Sequence, residues 1–169
     1  MTLATVGMVW GSLGLLTFAS LSGLRINATV SMPAGIWRSS QPAGLLRRGE
    51  AVAVCLPPSA LVRRYVGPGS CANGLEPLVK TIGAIAGDTV ALDASGARVN
   101  GLPIPHTAAL AADEAGRALP AFPAGRYVVR PGQLFLFSSH DPRSFDSRYF
   151  GPVETSAVIA TATPVLTFN

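Results

Sequence analysis

The sequence predicts a mainly β domain that follows a single N-terminal transmembrane helix. Eighteen glycines and fourteen prolines are spread along the chain between short runs of Val, Ile, Leu and Phe, a pattern typical of many short strands and turns. The first two dozen residues instead carry no charge and are mainly apolar. The remainder, 27–169, has the length of one domain with a sizeable core.

The apolar N-terminal run predicts a retained membrane anchor over 1–26. No charged residue lies between Thr2 and Leu24, and as a helix this stretch reaches roughly 30 Å, the thickness of the hydrocarbon core. It is longer than the core of a signal peptide, and the positively charged leading region of a cleavable leader is absent. We therefore expect the domain to be tethered to a bilayer.

The charge pattern favours a lipid surface over a nucleic acid as partner. The net charge of +4 is carried by scattered arginines, without the interleaved aromatic side chains of a nucleic-acid binder. A positive face toward anionic lipid is the simpler interpretation.

Two cysteines, Cys55 and Cys71, lie sixteen positions apart in a Pro- and Gly-rich stretch. Without further cysteines or a nearby histidine they do not predict a zinc site, so we expect no metal. If the domain lies outside the cytoplasm, they would form a disulfide that contributes roughly 3 kcal/mol by closing the loop. Two free, buried thiols are the alternative.

Lys80 is the only lysine, and it lies inside the apolar run 78–85. In a strand, Leu78, Lys80 and Ile82 would share one face, which we expect to be packed. Burial lowers the pKa of a lysine and turns it into a neutral amine that can accept a proton near neutral pH. Lys80 is therefore a candidate general base, the alternative being a side chain that reaches out to water.

A candidate nucleophile follows the anchor. Pro33 and Val30 favour an extended backbone, so Thr29 and Ser31 should project to the same side. Ser31 would supply the attacking hydroxyl, and its own backbone N–H and the Thr29 hydroxyl would supply oxyanion donors. Without Lys80, the same stretch would be interpreted as a turn.

A third segment contains Ser144, Asp146 and Arg148. Asp146 and Arg148 could form a partly buried ion pair that fixes the loop, and Ser144 could orient a neutral lysine amine. A plain ion pair at a turn is the alternative.

Other catalytic arrangements are less favoured. His140 and Asp141 are adjacent, so they point apart and cannot align as in a Ser-His-Asp triad. His106 is interpreted as a loop histidine. The stretch 108–118 is expected to be a short helix or an exposed arm.

Together, three motifs resemble those of the type I signal peptidase superfamily, in particular its conjugative-transfer (TraF-type) branch. They are Asn27-x-Thr29-x-Ser31-x-Pro33-x-Gly35-x-Trp37, the run 80–90 with its Gly87-Asp88 turn, and the run 146–153. Housekeeping enzymes of the superfamily carry Gly-Asp-Asn before the third motif, where this chain has Ser138-Ser139-His140-Asp141, and this difference favours the transfer branch.

The resemblance implies an antiparallel β-sheet peptidase domain over 27–169 with Ser31 as nucleophile and Lys80 as general base. Thr29 and Ser31 would form the oxyanion hole, and Ser144 would orient the lysine. Asp146, Arg148, Gly87 and Asp88 would support the site, and no cofactor is implied.

By the same resemblance, the domain would lie on the periplasmic side of the inner membrane and process a pilin precursor, with hydrolysis or cyclisation of the product. A general signal peptidase acting on many exported proteins is one alternative. A membrane-anchored structural component of a transfer complex is the other.

Overall fold

The computed structural model describes residues 23–27, 29 and 31–168. The predicted mainly β fold is confirmed: antiparallel strands form two sheets, and the helices among the described residues are short. The larger, seven-stranded sheet has the order β1-β2-β11-β3-β4-β9-β10. Its strands are β1 Leu24–Asn27, β2 Ala34–Ser40, β3 Ala51–Val54, β4 Leu78–Ala84, β9 Gln133–Phe137, β10 Val153–Glu154 and β11 Val158–Phe168.

A smaller sheet is inserted between β4 and β9 in the chain and has the order β7-β6-β5-β8. Its strands are β5 Thr89–Asp93, β6 Gly96–Val99, β7 Leu102–Pro103 and β8 Gly125–Val128. The helical segments are α1 Ala60–Tyr65, α2 Ser147–Phe150 and a 3-10 turn at Thr155–Ala157.

Strand β4 lies inside the larger sheet, between β3 and β9. Its side chains alternate in burial: Lys80, Ile82 and Ala84 are buried, whereas Val79 and Thr81 are only partly covered. This is the period of two expected when one face of a strand packs against a core. The predicted burial of Lys80 is therefore confirmed.

Among the described residues, two large apolar clusters and a smaller one around Met32, Trp37 and Ala51 hold the sheets in place. One large cluster packs β3, β4 and β9 against α1 and the closing segment, and the other lies between β9 and the small sheet. Phe135 and Phe137 belong to the second cluster, while Leu134 and Leu136 on the opposite face of β9 belong to the first. Both faces of β9 are thus buried, which fixes the strand beside Lys80.

The predicted anchor over 1–26 falls mostly outside the described residues, since 1–22 are not among them. Its last residues are not helical: Leu24–Asn27 form β1, which pairs with β2 from Leu24↔Arg38 to Asn27↔Gly35. An anchor can therefore extend no further than residue 23. Within the described residues, no helix has the length and apolarity needed to cross a bilayer.

The predicted disulfide is present. Cys55 directly follows β3, Cys71 lies in the loop that leads to β4, and their sulfurs are 2.06 Å apart. A helix over 108–118 was one expectation for that stretch and is wrong, because the segment is irregular with one isolated bridge between Ala112 and Ala118. It is the exposed-arm alternative that fits.

Candidate active site

The candidate nucleophile lies in a tight loop between β1 and β2, not in the extended segment that the sequence predicts. The reason is the Asn27 side chain. Its Nδ2 donates to the carbonyls of Met32 and Pro33, each at 3.0 Å, and its Oδ1 accepts from the Thr29 backbone N–H at 3.2 Å. A short amide side chain that binds its own downstream backbone curls the chain into a turn.

Thr29 and Ser31 both lie in this loop and are accessible to solvent: Thr29 is exposed and Ser31 is half-buried. The Thr29 hydroxyl donates to Asn27 Oδ1 at 2.7 Å. As an oxyanion donor it would first have to rotate its O–H away from Asn27. The two hydroxyls therefore belong to one loop, with the Thr29 proton engaged.

Two contacts attach this loop to β4, which carries Lys80, and to the residue that follows β9. The Ser138 hydroxyl donates to the Ser31 carbonyl, and the Thr81 hydroxyl lies 3.8 Å from Met32 Sδ. Thr81 pairs with Phe137 across β4 and β9, so the same register continued by one residue puts Ser138 opposite Lys80. The Ser31 backbone is thus held by the residue that neighbours Lys80.

Lys80 is the chemically distinctive group of the region. Only 3% of its surface is exposed, and within the described part of the chain its Nζ donates to the Val79 carbonyl at 3.2 Å. Burial lowers the pKa of Lys80 to about 8, an effect that the negative Asp146 opposes and the positive Arg148 reinforces. At neutral pH the amine is still mostly protonated, but its neutral fraction is far larger than that of an ordinary lysine.

Asp146 and Arg148 form the predicted ion pair, and it is fully buried rather than partly so, at 0% and 3% exposure. Arg148 Nε and Nη2 donate to the two carboxylate oxygens at 2.8 and 2.9 Å. The remaining guanidinium protons reach the carbonyls of Ser144 at 2.9 Å and of Ala108 and Pro142 at 3.0 Å each. With its hydrogen bonds satisfied, this buried pair is rigid.

Ser144 is buried next to this ion pair, and its hydroxyl makes no hydrogen bond with any described residue. The predicted bond to the lysine amine is therefore not formed here. An unsatisfied buried hydroxyl is costly. Among the described residues, the Ser144 hydroxyl thus has no partner as a donor or as an acceptor.

The Gly87-Asp88 turn joins the end of β4 to β5. Gly87 has a φ of +89°, a conformation that glycine adopts without strain. The buried Asp88 carboxylate accepts from the Ile85 backbone N–H at 2.9 Å and from Asn100 Nδ2 at 2.8 Å. These hydrogen bonds fix the turn at the end of the strand that carries Lys80.

The His140 and Asp141 pair is engaged elsewhere. Asp141 is bound by Arg143 through both carboxylate oxygens, at 3.0 and 2.6 Å, and this hydrogen bonding lowers the pKa of Asp141 to about 2. His106, in a loop with φ +58°, contacts the Ser139 carbonyl through Nδ1 at 2.8 Å. Neither histidine is hydrogen-bonded to a carboxylate in the described chain, which leaves the triad without support.

Sequence reasoning assigned no role to two residues that shape this region, Asn27 and Ser138. Asn27 carried a usable signal, because an asparagine two residues before a Thr-x-Ser-x-Pro stretch is a good former of side-chain-to-backbone bonds. Ser138 carried none, since its contact with Ser31 spans 107 positions.

Comparison with known proteins identifies the family of the chain. The family described as signal peptidase, peptidase S26, matches residues 2–167. The plasmid transfer protein TraF of Escherichia coli is 37% identical over 156 residues, which cover 89% of this chain and 86% of that protein. The conjugal transfer protein TraF of Agrobacterium tumefaciens is 38% identical over 160 residues, covering 91% and 89%.

A solved signal peptidase I from Enterococcus faecalis is similar at 20% identity and a TM-score of 0.38, covering 69% of this chain and 96% of the other. The match over nearly the whole chain and the identity to the TraF proteins show the family. The chain belongs to the peptidase S26 family of signal peptidases and is a homologue of conjugal transfer proteins named TraF.

Proposed function

We propose that this protein is a membrane-anchored serine endopeptidase with a Ser31–Lys80 dyad that processes a pilin precursor for conjugative plasmid transfer. The observation that carries the proposal is the buried Lys80 amine, whose pKa is lowered to about 8. A lysine whose pKa is lowered in this way loses its proton more easily than an ordinary lysine and can then act as a base.

The proximity of the two groups is supported indirectly. Ser138 binds the Ser31 carbonyl and continues the strand that pairs with β4, so the Ser31 loop lies near the Lys80 position. In the proposed active arrangement the lysine side chain exchanges its bond to the Val79 carbonyl for one to Ser31 Oγ. Ser144, with its free hydroxyl, would hold the amine in that orientation.

In the proposed mechanism, neutral Lys80 removes the Ser31 hydroxyl proton as Oγ attacks the scissile carbonyl carbon. The oxyanion of the tetrahedral intermediate is held by the Ser31 N–H and by Thr29 after it releases Asn27. The Lys80 ammonium then gives its proton to the leaving amine, and an acyl-enzyme on Ser31 remains. Water resolves it to a free carboxylate, or an amine resolves it to a new peptide bond, as in a cyclic product.

Strand β1 supports docking of an extended substrate. It lies at one end of the larger sheet and pairs only with β2 among the described strands. An edge of this kind accepts a further strand through main-chain hydrogen bonds. Since β1 directly precedes the Ser31 loop, a peptide lying along it would be led to the hydroxyl.

The proposed substrate and location are inferred from the names of the related proteins. The TraF homologues are named as plasmid and conjugal transfer proteins, and an exported, pilin-like precursor at the periplasmic face of the inner membrane is the corresponding proposal. The disulfide is in keeping with an oxidising compartment.

The test compares cleavage of a pilin precursor by the full-length protein in detergent with cleavage by Ser31→Ala and Lys80→Arg. We expect each substitution to reduce kcat by at least about 1,000-fold, because a dyad acts as a unit. Ser40→Ala, an exposed serine on β2, serves as the matched control and should retain full activity.

Near-normal turnover by either dyad variant would contradict the proposed chemistry and favour a structural component of a transfer complex. Cleavage of many unrelated exported precursors at comparable kcat/KM would instead favour a general signal peptidase. A preference for the pilin precursor supports the proposal as stated.

A further inference from the structure

We propose that Ser138 is a positioning residue whose hydroxyl keeps the Ser31 loop in register with Lys80. This inference rests on the proposed Ser31–Lys80 chemistry and adds a group that does not itself touch the reacting atoms.

The hydrogen bonds of Ser138 define the direction of its hydroxyl. The His140 backbone N–H donates to Ser138 Oγ at 3.3 Å, and the Ser31 carbonyl oxygen can only accept. The single hydroxyl proton therefore points to Ser31. Ser138 is 1% exposed, so water cannot readily replace either partner.

Ser138 is itself fixed from behind. Its backbone N–H donates to Asp146 Oδ2 at 3.0 Å, the same oxygen that accepts from Arg148 Nη2 at 2.9 Å. A continuous hydrogen-bonded path thus runs from the buried Arg148–Asp146 pair through Ser138 to the Ser31 carbonyl. The same ion pair lies close enough to Lys80 to influence its pKa.

The other described polar bonds of the Ser31 loop are local or weak. Asn27 holds Met32 and Pro33 from within the same loop, and Thr81 contributes a long contact to sulfur. The loop also packs through the buried side chain of Met32 against Trp37, Ala51 and Val79. Ser138 adds a directional hydrogen bond to the Ser31 carbonyl itself.

Removal of the Ser138 hydroxyl would leave the loop folded but less precisely placed. Proton transfer from Ser31 to Lys80 depends steeply on geometry, and a displacement of about 1 Å can lower a rate by about 100-fold. We expect Ser138→Ala to lower kcat by about 10- to 100-fold. KM should stay within about three-fold, because the substrate-binding edge at β1 is not changed.

The experiment measures kcat, KM and the pH profile of the full-length protein in detergent for Ser138→Ala, Ser138→Thr and Ser139→Ala. Ser139 is the matched control, because it is adjacent and exposed and, among the described residues, only its backbone carbonyl makes a hydrogen bond. Ser138→Thr retains the hydroxyl donor and should recover most of the lost kcat. The acidic limb of the pH profile should keep the wild-type pKa in all three variants, since none changes the burial or charged neighbours of Lys80.

Equal kcat for Ser138→Ala and Ser139→Ala would overturn the inference. So would equal losses in Ser138→Ala and Ser138→Thr when the thermal stability of Ser138→Thr equals that of the wild type, because the hydroxyl would then be present without restoring activity. Ser31→Ala is measured in parallel: if it is inactive while Ser138→Ala is unaffected, the dyad stands and only the role of Ser138 fails. If Ser31→Ala is active, the proposed function itself fails.

Discussion

At the scale of single residues, the site depends on the cost of burying Lys80. An ammonium ion is strongly disfavoured where water is excluded, and burial is the largest influence on the pKa of this side chain. The neighbouring ion pair acts on this pKa in both directions. Asp146 stabilises the ammonium ion and raises the pKa, whereas Arg148 repels the ammonium ion and lowers the pKa by a smaller amount. The result is an amine that changes its protonation state within a physiologically useful range.

The pH dependence of cleavage follows from that pKa. Below about 8 the Lys80 amine is protonated and cannot accept the Ser31 proton, so kcat/KM should rise as pH increases toward about 8 and level off above it. Stopped assays between pH 5 and 10 would measure this rise in kcat/KM. The buffers should have constant ionic strength, and the substrate should carry no titratable group near the cleaved bond. A flat profile across the neutral range would contradict the role of Lys80.

Sequence reasoning works well for residues whose environment is local. The apolar run around Lys80 and the alternation of a strand indicate a packed face, and the alternative of a side chain that reaches water is excluded by the structure, where Lys80 is buried. The closeness of Asp146 and Arg148 in the chain indicates their pairing. It fails where a side chain redirects the backbone. Asn27 converts the expected extended segment into a turn, so the shared orientation predicted for Thr29 and Ser31 did not follow from strand geometry.

At the scale of elements, the disulfide constrains the two strands that frame Lys80. It connects the end of β3 to the loop that enters β4, and these strands pair from Ala51↔Thr81 to Val54↔Leu78. Closing this loop reduces the freedom of the unfolded chain. The bond therefore stabilises the sheet near the candidate base without contacting it.

The contribution of the disulfide can be measured by replacing both cysteines with serine. We expect Cys55→Ser with Cys71→Ser to lower the free energy of unfolding by about 3 kcal/mol, through loss of the loop constraint. Urea unfolding of both proteins, with and without reductant, provides the measurement. The wild type should lose stability when reduced and the double variant should not. An unchanged urea midpoint for the reduced wild type would contradict this expectation.

At the scale of the whole molecule, the larger sheet gathers three segments that are far apart in the chain. The loop after β1, the strand β4 and the closing segment near α2 meet because β9 returns to pair with β4 after the small sheet has been inserted. The sequence predicts the strands and the motifs separately. Pairing across such distances depends on the packing of both faces of β9, which no local pattern encodes.

The most direct test of the central claim is an NMR titration of the Lys80 amine. Because Lys80 is the only lysine in the chain, protein labelled with carbon-13 at the lysine side chain gives a single lysine signal, provided that any purification tag lacks lysine. Its Cε chemical shift, followed with pH in detergent-solubilised full-length protein, reports the pKa. We expect a midpoint near 8; a midpoint at the ordinary value of 10.5 would contradict the claim that this amine is buried and serves as a base.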